Sequence, residues 1–277
     1  MRETIARFGG TVLVVAPHMD DEVLACGGLI ASLPDKQRIH ILYATDGAKS
    51  PAPLMPWIDK ATDDLRAVRK RESIAAVGLL GVPSANLRFL DLPESGLSRR
   101  GSDFERRVVE HLRQLLPDHV LVPFRYDRHP DHLAVNRTVT AAYLAGAYDG
   151  DLSEYFVYYR WRLLPGGDVR RYVRPEDLLR LDIASVARRK RDALACFASQ
   201  TTRYYPWQTR PILTAELLDE ESRGPEVFLR FDASRPGAAV LTKAVPWIRI
   251  AHQLEPRLQK CKNYAKATAV RLVGGRA

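Results

Sequence analysis

One stretch, Thr11 to Gly28 (TVLVVAPHMDDEVLACGG), constrains the fold of this chain more than any other. Thr11 to Ala16 is apolar, rich in β-branched residues and without alternation, the pattern of a strand buried on both faces in a parallel sheet under helices. Pro17 has no N–H to extend a ladder, so the chain turns there. From Glu22 onward Val23, Leu24, Ala25, Leu29 and Ile30 fall at helical spacing. His18, Met19, Asp20 and Asp21 therefore occupy the turn at the carboxyl end of a buried strand, the rim where open α/β sheets bind ligands.

Polar groups at such a place need partners, because an unpaired carboxylate is costly to desolvate. His18 and Asp21, three apart in a tight turn entering a helix, can converge on one divalent cation, which leaves Asp20 free for acid/base work. Taken alone, Asp20, Asp21 and Glu22 would also serve simply to cap the helix and complement its dipole.

The rest of the chain repeats this scheme. Arg38 to Ala44 reads as a second strand leading into the polar turn Thr45-Asp46-Gly47, and Ser50 to Pro56 as a loop. Ala61 to Leu80 carries a helical apolar stripe closed by Gly81-Val82-Pro83; within it Arg69 and Glu72 are spaced to pair, unless Arg69 reaches a ligand. Asn86 to Leu92 is a short strand before the turn Pro93-Glu94-Ser95-Gly96. A helix follows over Phe104–Leu116 and a strand over Asp118–Pro123. Such β-α-β-α alternation predicts a Rossmann-like, doubly wound, mostly parallel sheet with helices on both faces.

A second polar cluster, Tyr126-Asp127-Arg128-His129-Pro130-Asp131-His132, follows that last strand and runs into a helix over Leu133–Ala147. A catalytic zinc site needs three protein ligands drawn from His and Asp or Glu, with one position left open. His18, Asp21 and one of His129 and His132 would make such a set. Beyond Asp149 the pattern loosens: an aromatic strand over Tyr155–Trp161, a basic helix over Ile183–Gln200 and a last strand over Val227–Phe231 are expected.

At 277 residues the chain can bury a full core, and 46% hydrophobic with 27% charged residues is ordinary for a soluble globular protein. A net charge of +9 favours an anionic partner: a phosphorylated sugar, an acidic lipid headgroup or nucleic acid. Cys26, Cys196 and Cys261 are odd in number and form no CxxC, as in a reduced intracellular protein. With no signal-peptide core and no segment long enough to span a bilayer, a cytoplasmic protein is expected. Residues 1–235 are expected to form the α/β domain and 236–277 a basic helical extension. From Lys243 onward eight Lys or Arg accompany one acid, Glu255, with Trp247, Ile248, Ile250, Leu254, Leu258, Tyr264 and Val270 interspersed. That composition suits a helix packed on the domain, or a basic amphipathic helix in peripheral contact with a membrane.

Ala16-Pro17-His18-Met19-Asp20-Asp21-Glu22 with Gly27-Gly28, and His129-Pro130-Asp131-His132 over a hundred residues later, resemble the PIG-L, or LmbE-like, family of zinc-dependent N-deacetylases. The likeness extends to Thr45-Asp46-Gly47, to Arg69 and Glu72, to Glu94-Ser95-Gly96 and, more weakly, to Lys190, Ala193 and Ser199-Gln200. It implies removal of an acetyl group from an N-acetylglucosamine-type unit on a small glycoside, glycolipid or glycan precursor. By this resemblance His18, Asp21 and His132 hold one Zn2+, Asp20 is the general base for a metal-activated water, and protonated His129 faces the developing oxyanion. Asp131 would orient His129, while Arg69, Glu94 and Asp46 match the sugar-binding side. Met19 stands where relatives usually have proline, and Asp127 stands where some have tyrosine. The expected partner is thus a small N-acetylated amino sugar, with the positive charge favouring an anionic or lipid-linked one.

Two other classes fit parts of the pattern. Histidine and carboxylate clusters also serve metal-dependent hydrolases of phosphoesters, though a single three-ligand set differs from the two-metal arrangement common there. A nucleotide- or nucleic-acid-binding protein would use the same rim, but no glycine-rich phosphate loop follows a strand and no RNA-binding signature is present, so no nucleic-acid partner is expected.

Overall fold

The computed structural model describes residues 5–52 and 64–234, together with 246–248, 250–255, 257–258 and 261. In chain order the elements are β1 (Val12–Ala16), α1 (Asp21–Ser32), β2 (Ile39–Thr45), α2 (Leu65–Leu79), β3 (Leu87–Leu92), α3 (Gly101–Leu115), β4 (His119–Pro123), α4 (Pro130–Leu144) and β5 (Asp151–Tyr155). There follow β6 (Leu178–Leu181), α5 (Ala187–Ala195), α6 (Ala198–Thr201), α7 (Ala215–Arg223) and β7 (Glu226–Arg230), with short 3-10 turns between several of these elements.

The seven strands of the described residues form one sheet in the order β3-β2-β1-β4-β5-β7-β6. Strands β1 to β5 are mutually parallel, and β7 runs antiparallel to both β5 and β6. Side chains alternate across β1. Val12, Val14 and Ala16 pack with Val23 and Leu29 of α1, Val77 of α2 and Leu194 of α5. Leu13 and Val15 pack on the other face with Phe104 and Val108 of α3 and Val135 and Val139 of α4. The apolar run without alternation is thus a strand with a helical layer on each side, as expected.

Connections from β1 lead toward β2 and β3 on one side, and β4 and β5 lie on the other. The strand order therefore reverses between β1 and β4, and the turns after these two strands flank the crevice that such a reversal opens. Helix α1 is held close by Gly28, where a Cβ would fall 2.3 Å from Cγ2 of Ile183. A buried ion pair also ties it down: Lys190 Nζ lies 2.8 Å from Glu226 Oε1 and donates to the Leu24 carbonyl at 2.7 Å. Glu226 in turn accepts the N–H groups of Gly28 and Leu29.

The carboxyl-terminal half departs from expectation. The strand foreseen over Tyr155–Trp161 ends at Tyr155, and its register starts at Asp151. Phe156, Tyr159 and Trp161 leave the sheet and bury in a cluster with Phe124, Val169 and Val173. The helix foreseen over Ile183–Gln200 is divided into α5 and α6, because buried Phe197 between them has non-helical angles (φ −81°, ψ 60°). Edge strand β6 and helix α7 were not foreseen. Of the loop Ser50–Pro56, residues 53–56 lie outside the described residues, as do the boundary expected at 235/236 and Tyr264 and Val270. Residues 246–248, 250–255 and 257–258 are helical, with Ile248 and Ala251 buried against Trp161 and its neighbours. Among the described residues no helix is long and apolar enough to cross a membrane, and Cys26, Cys196 and Cys261 are unpaired.

Candidate metal centre

The turn after β1 delivers His18, Asp20 and Asp21; the turn after β4 and the first turn of α4 deliver Asp127, His129, Asp131 and His132. Capping does not account for Asp20 or Asp21. Asp20 occupies the N-cap position of α1, yet its side chain makes no cap hydrogen bond; its Oδ2 lies 3.1 Å from Nη2 of buried Arg69. Asp21 folds back so that Oδ2 accepts the His18 N–H at 2.9 Å.

Three side-chain atoms then form a triangle. His18 Nδ1 is 3.2 Å from Asp21 Oδ2, His132 Nε2 is 3.2 Å from the same oxygen, and the two ring nitrogens are 3.2 Å apart. Tetrahedral ligands held ~2.0–2.1 Å from a zinc ion are about 3.3–3.4 Å from one another, so the triangle fits such an ion. The far sides of both rings face acids: His18 Nε2 is 3.3 Å from Asp131 Oδ2, and His132 Nδ1 is 3.2 Å from Asp127 Oδ2, the latter off the line of a hydrogen bond. A proton held on each outer nitrogen turns the lone pair of the inner one toward the shared point, the arrangement of metal-binding histidines. A ring nitrogen of His129 also lies within 4.8 Å of those of His18 and His132, so a three-histidine set is the looser alternative.

Electrostatics point the same way. Burial alone would suppress charge on His18, but Asp131 and Asp21 outweigh it and lift the imidazole to about 9. Burial likewise opposes charge on His132, and Asp127 and Asp21 overcome it. Burial works to raise Asp21, yet His132 and His18 hold it well below the carboxylate range. Asp21, Asp127 and Asp131 around two imidazoles thus set up a negative potential at one buried point, which favours a cation there. Asp20 behaves differently: burial raises it to about 6 against the pull of Arg69.

Two expected roles change. His129 was expected to be protonated, but as N-cap of α4 its Nδ1 accepts the Asp131 N–H at 3.2 Å, and burial, followed by His18 and His132, lowers it to about 3. With Nδ1 accepting, the ring's proton sits on Nε2, and the lowered pKa disfavours a second one. Asp131 was expected to orient that ring through its carboxylate; the carboxylate instead faces His18 and accepts the N–H groups of Ser95 at 2.6 Å and Leu97 at 3.3 Å.

Beside the triangle lies a cavity of about 220 Å3 whose walls include Asp20, Arg69, Glu94, His129, Tyr158 and Gln200. Arg69 and Glu94, expected on the sugar-binding side, both line this cavity. Asp46 is not among the lining residues; it stands behind Glu94, accepting the N–H groups of Glu94 and Ala48. Arg69 does not pair with Glu72, which accepts from the backbone and hydroxyl of Ser199. Instead its guanidinium donates to the carbonyls of Met19 and Ser50, fixing the turn that holds Asp20 despite Met19 in place of proline. Sequence reasoning missed two residues. Asp127 accepts the His129 N–H at 2.8 Å while facing His132, and an Asp two before a His at a helix entrance was the available signal. Tyr158 brings its ring 5.3 Å from that of His132 only through the loop after β5, which no local pattern announced.

Comparison with known proteins gives a consistent picture. The family model described as PIG-L, GlcNAc-PI de-N-acetylase, matches residues 13–143. The chain is 30% identical over 227 residues to a 2'-N-acetylparomamine deacetylase of Streptomyces fradiae, covering 73% of this chain and 76% of the relative. It is 31% identical over 155 residues to a 1D-myo-inositol 2-acetamido-2-deoxy-alpha-D-glucopyranoside deacetylase of Rhodococcus jostii (strain RHA1), covering 47% of this chain and 52% of that relative. Among solved structures, N,N'-diacetylchitobiose deacetylase from Pyrococcus horikoshii superposes with a TM-score of 0.56 at 21% identity, covering 81% of this chain and 85% of the other. That last likeness is one of fold.

Proposed function

We propose that this chain, which belongs to the PIG-L family, is a metal-dependent N-deacetylase that hydrolyses the acetamide of an N-acetylglucosamine-type sugar to the free amine and acetate. The observation that carries the reading is the 3.2 Å triangle of His18, Asp21 and His132, with an unligated buried carboxylate, Asp20, beside it. Those three residues would hold the ion; Asp21 takes the third place because its oxygen closes the triangle while His129 Nδ1 is engaged by the α4 backbone. Zinc suits two imidazoles and a carboxylate, as do iron and cobalt. When bound, the ion supplies Lewis acidity to the amide carbonyl and to the attacking water.

The protein's own groups supply the proton movements. Asp20, poised near 6, takes the proton of the attacking water as its oxygen bonds to the acetamide carbon. The Nε2–H of His129 donates to the carbonyl oxygen as it gains negative charge. When the C–N bond breaks, Asp20 passes its proton to the departing amine, because His129, lowered by burial and by His18 and His132, holds no second proton to give. Asp131 and Asp127 hold His18 and His132 in the required tautomers. Arg69 and Glu94 line the sugar side of the cavity.

The cavity supports an uncharged sugar more than a phosphorylated one. Among the described residues, each arginine lining it is within ion-pair distance of a carboxylate: Arg69 with Asp20, Arg128 with Glu255, and Arg160 with Glu220. The test is acetate release from N-acetylglucosaminyl compounds differing in aglycone, with and without a chelator. Chelator-sensitive release from at least one supports the reading; no release from any, with metal loaded, rejects it.

A further inference from the structure

We infer that the outer face of the carboxyl-terminal helix is a docking surface for an anionic lipid bilayer. Trp247, Ile250, Leu254 and Leu258 recur at intervals of three, four and four, which places them along one side of the helix. Each is between 41% and 52% exposed, and together they are four of the ten exposed large hydrophobic residues among the described part of the chain. An apolar row of that kind on a protein surface marks a contact site.

The helix is held by its other side. Ile248 and Ala251 bury in the cluster around Trp161, and His252 Nε2 lies 2.9 Å from the Asp127 carbonyl, while Trp247, at the edge of the outer row, donates its indole N–H back to the Leu163 carbonyl at 3.1 Å. Glu255, the one acid from residue 243 onward, is 2% exposed and pairs inward with Arg128 at 3.5 Å. The sequence of 243–277 carries eight Lys or Arg, and its one acidic side chain, Glu255, is turned to the protein. An apolar row with a tryptophan, accompanied by basic residues, suits the headgroup boundary of a membrane containing acidic lipids. A second copy of the chain would bring the same basic segment against itself, and nucleic acid would leave the apolar row without a partner. Because the inner side of the helix touches Asp127 and Arg128, docking would bring the loop that carries the metal centre to the bilayer.

Co-sedimentation of the full chain with vesicles tests this, using phosphatidylcholine alone or mixed with phosphatidylglycerol. Binding to the mixed vesicles, weak binding to the neutral ones and release by high salt are expected. Leu254→Glu with Leu258→Glu should lower partitioning by at least about tenfold, with the thermal unfolding midpoint and hydrolysis of a soluble substrate unchanged. No binding to mixed vesicles, equal binding to both kinds, or a dimer in solution that the double substitution dissociates would overturn the inference.

Discussion

Replacing Lys190 with methionine probes the anchoring of the helix that presents Asp20 and Asp21. The ammonium is fully buried and shared between Glu226 and the Leu24 carbonyl, while Glu226 also accepts two backbone N–H groups of α1. Methionine fills a similar volume without the charge, so the loss is electrostatic: a buried carboxylate keeps two N–H donors and loses its cation, at about 3–5 kcal/mol. With an unfolding entropy near 2.1 cal/mol/K per residue, 277 residues give roughly 0.6 kcal/mol/K, so the unfolding midpoint should fall by about 5–8 °C. Adding Glu226→Gln, which removes the stranded charge but keeps an acceptor for α1, should restore most of that loss. Circular dichroism melts of the single and double variants decide it. A midpoint within about 1 °C of the parent for Lys190→Met, or a double variant no better than the single one, would refute the claim that this pair anchors α1.

Other expectations concern the chemistry. Asp20→Asn should keep its metal and lower kcat by about 10²–10⁴, whereas His132→Ala should lose both metal and activity; equal metal content in the two would contradict the roles assigned. His129→Ala should retain metal with kcat down about 10²–10³, and His129→Gln, which keeps an N–H donor, should recover part of it. Asp127→Asn should weaken metal affinity about 10- to 100-fold by loosening the tautomer of His132, read by competition with a chromogenic chelator.

How much of this was legible in the sequence depended on how local the cause was. β1 declared itself because burial on both faces requires an unbroken apolar run, and the turn behind it because carboxylates are rare at a buried strand end. The PIG-L resemblance named His18 and Asp21 together with His132, over a hundred residues later, and the structure brings these side chains together. What stayed hidden was set by distant contacts. Ser153 and Glu154 look unsuited to a strand, yet both are buried in β5, where Glu154 Oε1 meets the Arg125 side chain at 2.7 Å. Conversely, aromatic Phe156 to Trp161 has high strand propensity but is claimed by the cluster over β7. Where the Asp131 carboxylate points was hidden for a similar reason: the start of the helix turns it toward His18, away from the expected His129.

The central claim is that one ion is held by two loops remote in sequence. Anomalous diffraction from crystals soaked with zinc tests it most directly. A single peak per chain is expected, ~2.0–2.2 Å from His18 Nδ1, Asp21 Oδ2 and His132 Nε2. A peak ligated by His129 in place of Asp21, or none between the two turns, would contradict it.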